Sequence, residues 1–292
     1  MPRTRANRRD CGLKWAQMMK IPLIKNQEPL PVNAGVSKLA KVEFARLPRP
    51  ALLKEPVHFW NEIFIANEAY ILEQITHPRI RRKLLYDATT HRLFLEYIEG
   101  ATLHELVMGG FTVKDPARTH RLLQSVAETV ADMHEGCLCD RPIIHNDLKS
   151  MNVLVPVAAP SETVLIDFSH SYFDGHLPPF ITDHQHNPAG TARYMAPEKW
   201  DGNFEHGRPG DVFAFGVMAY YAYTGKFPFE GDATEIEKRA RETTPPTPIQ
   251  LGINVLRNTQ AVVMACLEKQ PNRRPSMEQV ARCYAEASIL FK

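Results

Sequence analysis

Eight consecutive positions, His145-Asn-Asp-Leu-Lys-Ser-Met-Asn152, combine a carboxylate (Asp147), a cation (Lys149) and a side-chain amide (Asn152). Two short apolar runs, Ile143-Ile144 and Val153-Leu-Val155, flank them, so this polar loop is pinned between buried anchors, an arrangement suited to a rigid reactive loop. A second apolar run, Val164-Leu-Ile166, ends in Asp167-Phe168 and places another carboxylate at a strand end. Asp147, Asn152 and Asp167 offer hard oxygen ligands and Lys149 a positive charge, the set that Mg²⁺-assisted phosphoryl transfer requires. No reactive thiolate and no Ser/His/Asp nucleophile order competes with it.

The elements that must position these residues fall into two groups. From Pro29 to Tyr97 the chain reads as short strands around one helix, Phe59 to Ile75, whose apolar positions Phe59, Ile63, Ala66, Tyr70 and Ile71 recur at helical spacing and which His77-Pro78 ends. Arg92-Leu-Phe-Leu-Glu-Tyr97 is a β-rich run, and Ile98-Glu-Gly100 is a connector. Beyond Gly100 helices are predicted near Leu103–Val107, Asp115–His134, Val212–Tyr223, Ala233–Arg241, Ile253–Lys269 and Ser276–Leu290. Strands first and helices second indicate an α+β fold with a ligand cleft between two lobes.

Composition agrees with a folded chain. The 292 residues are 44% hydrophobic and 23% charged, which excludes a disordered, collagenous or coiled-coil chain. A net charge of +2 is too balanced for a surface devoted to nucleic acid. Five cysteines do not suggest a disulfide framework, and Cys137, Cys139 and His134 read as a loop rather than a metal site. The most apolar stretch, Val212 to Gly225, is too short for a membrane span and reads as a buried helix. Residues 1–28, rich in Arg and Lys with no apolar segment, are expected to form a basic flexible leader.

His-x-Asp-Leu-Lys-x-x-Asn at 145–152, Asp167-Phe168 and Gly190-Thr-Ala-Arg-Tyr-Met-Ala-Pro-Glu198, in that order, resemble the eukaryotic protein kinase family. Asp211 in Asp-Val-Phe-Ala-Phe-Gly216, Thr224-Gly-Lys-Phe-Pro228 and Arg274-Pro275 extend the likeness toward the last helix. The resemblance implies a bilobal kinase fold over 29–288: a small β-rich N-lobe with one main helix (29–97), a hinge (96–101) and a larger, mainly helical C-lobe (102–288). It also implies ATP and Mg²⁺ as cofactors. By position, Asp147 would handle the proton of the substrate hydroxyl, Lys149 would steady the γ-phosphate, Asn152 and Asp167 would hold the metal, and Thr191 would brace the loop. Glu198 and Arg274 would form a buried ion pair. Asp-Leu-Lys-Ser and Gly190-Thr191 are similar to Ser/Thr kinases, and the loop as a whole is similar to the tyrosine-kinase-like branch.

In the N-lobe the pattern departs. Gly35-Val-Ser37-Lys-Leu-Ala40-Lys-Val42 aligns with the family's phosphate loop but keeps one of three glycines, which weakens close backbone approach to phosphate. Lys54, 14 residues before Glu68, is the candidate ATP-anchoring lysine paired with that glutamate, and Lys41 is the competitor. Leu52 occupies a small-residue position over adenine. Leu95 would be the gatekeeper, Glu96 and Ile98 would read adenine through their backbone, and Val42, Leu52 and Leu154 would sandwich the ring. Asn146 replaces an arginine that faces an activation-segment phosphate, so activity is expected to survive replacement of Ser169, Ser171, Tyr172 and Thr182. Ser169 replaces a hinge glycine, shifting the segment's in/out equilibrium. His170, His176, His184 and His186 are expected to be solvated loop residues.

The function expected from the resemblance is Mg-ATP-dependent phosphorylation of Ser and Thr on protein substrates, with no nucleic-acid partner and no membrane span, in the cytoplasm or nucleus. An inactive pseudokinase scaffold is the alternative. A small-molecule kinase is disfavoured by the intact stretch from Gly190 to Glu198.

Overall fold

In a computed structural model the described residues are 24–30, 37–44, 49–178, 192–202 and 207–289. Five antiparallel strands form the first lobe: β1 (Ile24–Pro29), β2 (Ser37–Phe44), β3 (Ala51–Pro56), β4 (Lys83–Asp87) and β5 (Arg92–Glu96), in the order β1-β2-β3-β5-β4. Helix α1 (Glu62–Gln74) lies between β3 and β4 in sequence and packs against this sheet. β1 begins inside the stretch expected to be leader, because Ile24 to Pro29 find pairing partners along β2, with Gln27 opposite Val42 and Pro29 opposite Ala40.

Side chains alternate across a pleated strand, so register decides which residues face the second lobe. Opposed pairs are Val42 with Ala51, Ala40 with Leu53, Lys41 with Leu52 and Leu39 with Lys54. Ala40, Val42, Phe44, Ala51, Leu53 and Phe94 form a separate small core on the outer face. Leu52, Leu93 and Leu95, on the opposite face, join the main core, and Leu39 packs against it.

The segment after α1 stitches the lobes together. Ile80 bridges Leu165, Arg81 N–H donates to the Leu165 carbonyl at 3.0 Å, and Leu165 N–H donates to the Arg79 carbonyl at 2.8 Å. The second lobe contains α2 (Leu103–Met108), α3 (Phe111–Lys114), α4 (Pro116–His134), α5 (Gly207–Thr224), α6 (Ala233–Glu242), α7 (Arg257–Cys266) and α8 (Met277–Ser288). Short strands β6 (Gly100–Thr102), β7 (Ile143–Ile144), β8 (Val153–Pro156), β9 (Val164–Leu165) and β10 (Tyr172–Phe173) line its upper side. α4 starts where Asp115 accepts from Arg118 N–H at 2.9 Å with Pro116 in the first helical position, a favourable N-terminus. α8 is capped by Ser276 and Gln279 in the same reciprocal way as α2 is by Thr102 and Glu105. Gly216 on α5 lets α7 come close: a Cβ there would lie 2.7 Å from that of Cys266. No helix among the described residues is long and apolar enough to cross a membrane.

Candidate active site

β3 and α1 bring the first charges together. Lys54 Nζ lies 2.6 Å from Glu68 Oε2 and 2.9 Å from Asp167 Oδ1, with both Lys54 and Glu68 buried. Burial alone would push the lysine down, but Asp167 and Glu68 outweigh it and hold the ammonium above its ordinary value. Burial would likewise raise Asp167, yet Lys54 and a hydrogen bond from Ser169 hold its carboxyl well below the usual range. Glu68 is pushed up by burial despite Lys54. Lys41, the other candidate, projects at the connector, its Nζ 4.8 Å from the centre of the Tyr97 ring.

The Asp-Phe segment is latched against α1. Phe168 is fully buried, its N–H donates to Glu68 Oε1 at 3.2 Å, and its ring packs 4.9 Å from that of His145. Asn67 Nδ2 donates to the carbonyls of Ser169 at 3.0 Å and Ser171 at 2.9 Å. Ser169 Oγ donates to Asp167 Oδ1 at 2.7 Å. Ser169 therefore trades the freedom of a glycine for a side-chain tie to the carboxylate. Nothing in the sequence pattern singles out Asn67, which reads as one more polar position on a helix.

The loop between β7 and β8 carries the second set. Lys149 Nζ lies 2.7 Å from Asp147 Oδ2. Asn152 Nδ2 donates to the Asp147 carbonyl at 2.9 Å and to Oδ2 at 3.3 Å. With its nitrogen committed, Asn152 has its Oδ1 left for a cation; Asp167 has its Oδ2, which takes no hydrogen bond among the described residues. Beneath the loop, buried Asp211 accepts from His145 N–H at 2.8 Å, Asn146 N–H at 2.9 Å and His134 Nε2 at 3.1 Å. Burial would raise the Asp211 carboxyl, but the hydrogen bond and charge of His134, with the charge of Lys199, hold it below the usual range. Ser150 Oγ and Tyr194 OH, 2.7 Å apart, tie the loop to the segment before Glu198.

Two sequence expectations change. Ala40 and Val42 point into the outer core, away from Lys54, so neither roofs the cleft; Leu39 and Lys41 do. The alignment with the phosphate loop was one residue out of phase with the pleat. Ser37 is buried in β2, while Gly35 and Thr191 lie outside the described residues. Leu52 and Leu95, opposed across β3 and β5, face the cleft side, with half-buried Glu96 and Ile98 following and Leu154 buried in β8. Glu96 N–H donates to the Arg82 carbonyl at 2.9 Å, which leaves its carbonyl as the group for a nucleobase edge.

The activation segment also differs from expectation. Ser169, Ser171 and Tyr172 are buried, and Ser171 Oγ donates to the His145 carbonyl at 3.0 Å. Replacing them would therefore disturb the loop itself and cannot test phosphorylation; Thr182 lies outside the described residues. His170 is not a solvated residue: its ring packs 5.0 Å from that of Phe64 and its Nδ1 lies 3.1 Å from Ser169 Oγ, and burial lowers its pKa. His176 is exposed; His184 and His186 lie outside the described residues.

Arg274 and Glu198 meet in a bidentate pair with both distances 2.7 Å. Arg274 also donates to the carbonyls of Glu268, Pro209 and Lys269, so all five of its N–H groups are satisfied.

A family model for the protein kinase domain matches residues 52–283. Over 227 residues the chain is 29% identical to the serine/threonine-protein kinase pkn2 of Myxococcus xanthus, covering 75% of this chain and 26% of that protein. It is 28% identical over 218 residues to mitogen-activated protein kinase kinase kinase 7 of Homo sapiens, covering 72% and 33%. A third relative, calcium/calmodulin-dependent protein kinase type I of Schizosaccharomyces pombe, is 28% identical over 253 residues, covering 82% and 71%. The chain thus spans about a quarter to a third of the length of the first two relatives. Among solved structures, that of the Rad53 kinase domain and SCD2 superposes with a TM-score of 0.67 at 17% identity, over 88% of this chain and 87% of the other, a likeness of fold.

Proposed function

The chain belongs to the protein kinase domain family, and from that premise we propose that it transfers the γ-phosphoryl group of ATP, with Mg²⁺, to Ser and Thr hydroxyls of protein substrates. The observation that carries this reading is the double contact of Lys54, at 2.6 Å from Glu68 and 2.9 Å from Asp167, which brings strand, helix and Asp-Phe segment into one cluster. Phosphoryl transfer asks mainly for positioning and charge, and an assembled cluster supplies both without reorganisation.

The residues take distinct parts. Lys54 is placed to bind phosphate oxygens, and Glu68 holds it in that place. Asp147 is oriented by Lys149 and Asn152 to accept the hydroxyl proton, and Lys149 carries the charge that faces the transferred group. Asn152 Oδ1 and Asp167 Oδ2 fit Mg²⁺ as hard donors. When bound, Mg²⁺ would offset the negative charge on the phosphate chain. Leu52 and Leu95 supply apolar walls for the base, and Leu39 covers it from β2.

Transfer to Ser and Thr is supported by Lys149 at its place in Asp-Leu-Lys-Ser and by the names of the relatives. Labelled ATP is to be incubated with the protein and a peptide library containing Ser, Thr and Tyr, followed by identification of the labelled amino acid. Label on Ser and Thr is expected; label on Tyr alone contradicts the specificity, and no label on any peptide favours a scaffold.

A further inference from the structure

A buried lysine outside the set described above is bonded to the reactive loop. Lys199, in the 3₁₀ turn Pro197–Asp201, is 6% exposed and donates from Nζ to Asn146 Oδ1 at 2.8 Å. Its stem passes over Gly210 of α5, where a Cβ would lie 2.7 Å from Lys199 Cε and 3.0 Å from Nζ. Any other residue at 210 would force the lysine aside. Burial pulls the Lys199 pKa down, while Asp211, Glu198 and Asp147 pull it up and Arg274 adds to the lowering. An ammonium is costly to bury, and this one is turned to an amide oxygen rather than to any of those carboxylates.

Asn146 is held from three sides. Its N–H is bonded to Asp211 of α5, its Nδ2 donates to the His170 carbonyl at 3.3 Å, and its Oδ1 receives Lys199. Its φ of 65° is in the left-handed region, which asparagine tolerates better than most residues. Asp147 follows directly, so any rotation at Asn146 redirects the carboxylate. Lys199 itself follows Glu198, fixed by Arg274. The sequence has no cation at position 146, and the fold brings one there from the turn beneath it.

We propose that Lys199 is a positioning residue: by holding Asn146 it sets the backbone from which Asp147 projects, and it ties that loop to the Glu198–Arg274 turn. The inference rests on reading the site as a phosphotransfer site. It differs from a purely structural role in one respect: Lys199 and Asn146 must act on turnover as a unit.

The test is a double-mutant cycle on steady-state transfer from ATP to an acceptor peptide. Lys199→Met removes the ammonium and keeps the stem; Asn146→Gly removes the side chain and keeps the positive φ without strain. Each single variant is expected to lose on the order of ten- to a hundredfold in kcat, with KM for ATP unchanged, as for a misplaced reactive group. The double variant is expected to lose no more than the worse single one. Folded variants with wild-type kcat, or losses that multiply in the double variant, would overturn the proposal. Should Lys199→Met lack a cooperative thermal transition, Asn146→Gly decides alone: reduced kcat at constant KM supports the inference and unchanged kcat overturns it. Wild-type protein that transfers nothing overturns the functional reading, and this inference falls with it; active wild type with unaffected variants overturns the inference alone.

Discussion

Lys54 serves buried Glu68 and half-buried Asp167 at once, and its removal has a predictable signature. In Lys54→Met, Glu68 is left buried without its cation, so thermal or urea unfolding at pH 7 should show a loss of about 3–5 kcal/mol. The sign of the pH dependence follows from Glu68, whose pKa burial already raises. Protonation removes the uncompensated charge, so the deficit relative to wild type should shrink as the pH falls from 7 toward 5. A deficit independent of pH would mean that the variant suffers from lost packing. At this scale the chemistry of the second lobe was legible because Asp147, Lys149, Asn152 and Asp167 lie in short continuous segments. The ties among them were not. Asn67, Ser169 Oγ and Lys199 act across 102, 2 and 53 positions of sequence, through contacts that only the folded chain defines.

The strand and the first helix show what periodicity can and cannot decide. On α1 the apolar positions Ile63 and Tyr70 are exposed, as is Phe59 in the turn before it, while Phe64, Ile65, Ala69, Ile71 and Leu72 are buried beside Glu68. Apolar residues occur around much of this helix, and Glu68, one of its three glutamates, is on the inner face, so of the spaced positions Phe59, Ile63, Ala66, Tyr70 and Ile71 only Ile71 is buried. β2 alternates, with Ala40, Val42 and Phe44 on one face and Ser37, Leu39, Lys41 and Glu43 on the other, but alternation alone does not say which face meets the cleft. The pairing of Leu39 with Lys54 resolves the face. Leu39→Ala should therefore raise KM for ATP severalfold with little change in stability, whereas Val42→Ala should cost about 2 kcal/mol in unfolding and leave KM unchanged. The opposite pattern would return Val42 to the cleft. In the second lobe, Glu198→Gln leaves the Arg274 guanidinium buried without its counter-charge; the expected loss is about 3–5 kcal/mol in denaturant unfolding. A loss below about 1 kcal/mol would mean that water reaches the pair.

At the scale of the whole molecule, the two lobes share one main core that runs from Leu52 and Leu95 through Phe168 to α5 and α8. The α+β division was legible from strands preceding helices; the seam was not, because it depends on Arg79, Ile80 and Arg81 meeting Leu165. Lys54 reaching Asp167 across that seam makes the cleft a functional unit rather than a gap between lobes. The measurement that tests this most directly is Mg²⁺-dependent phosphate transfer from labelled ATP to a generic basic protein, wild type beside Asp167→Asn, with thermal unfolding to show that both are folded. Incorporation by wild type that requires Mg²⁺ and falls at least a hundredfold in Asp167→Asn is the predicted result. Equal incorporation by both proteins, or none by folded wild type, would contradict it.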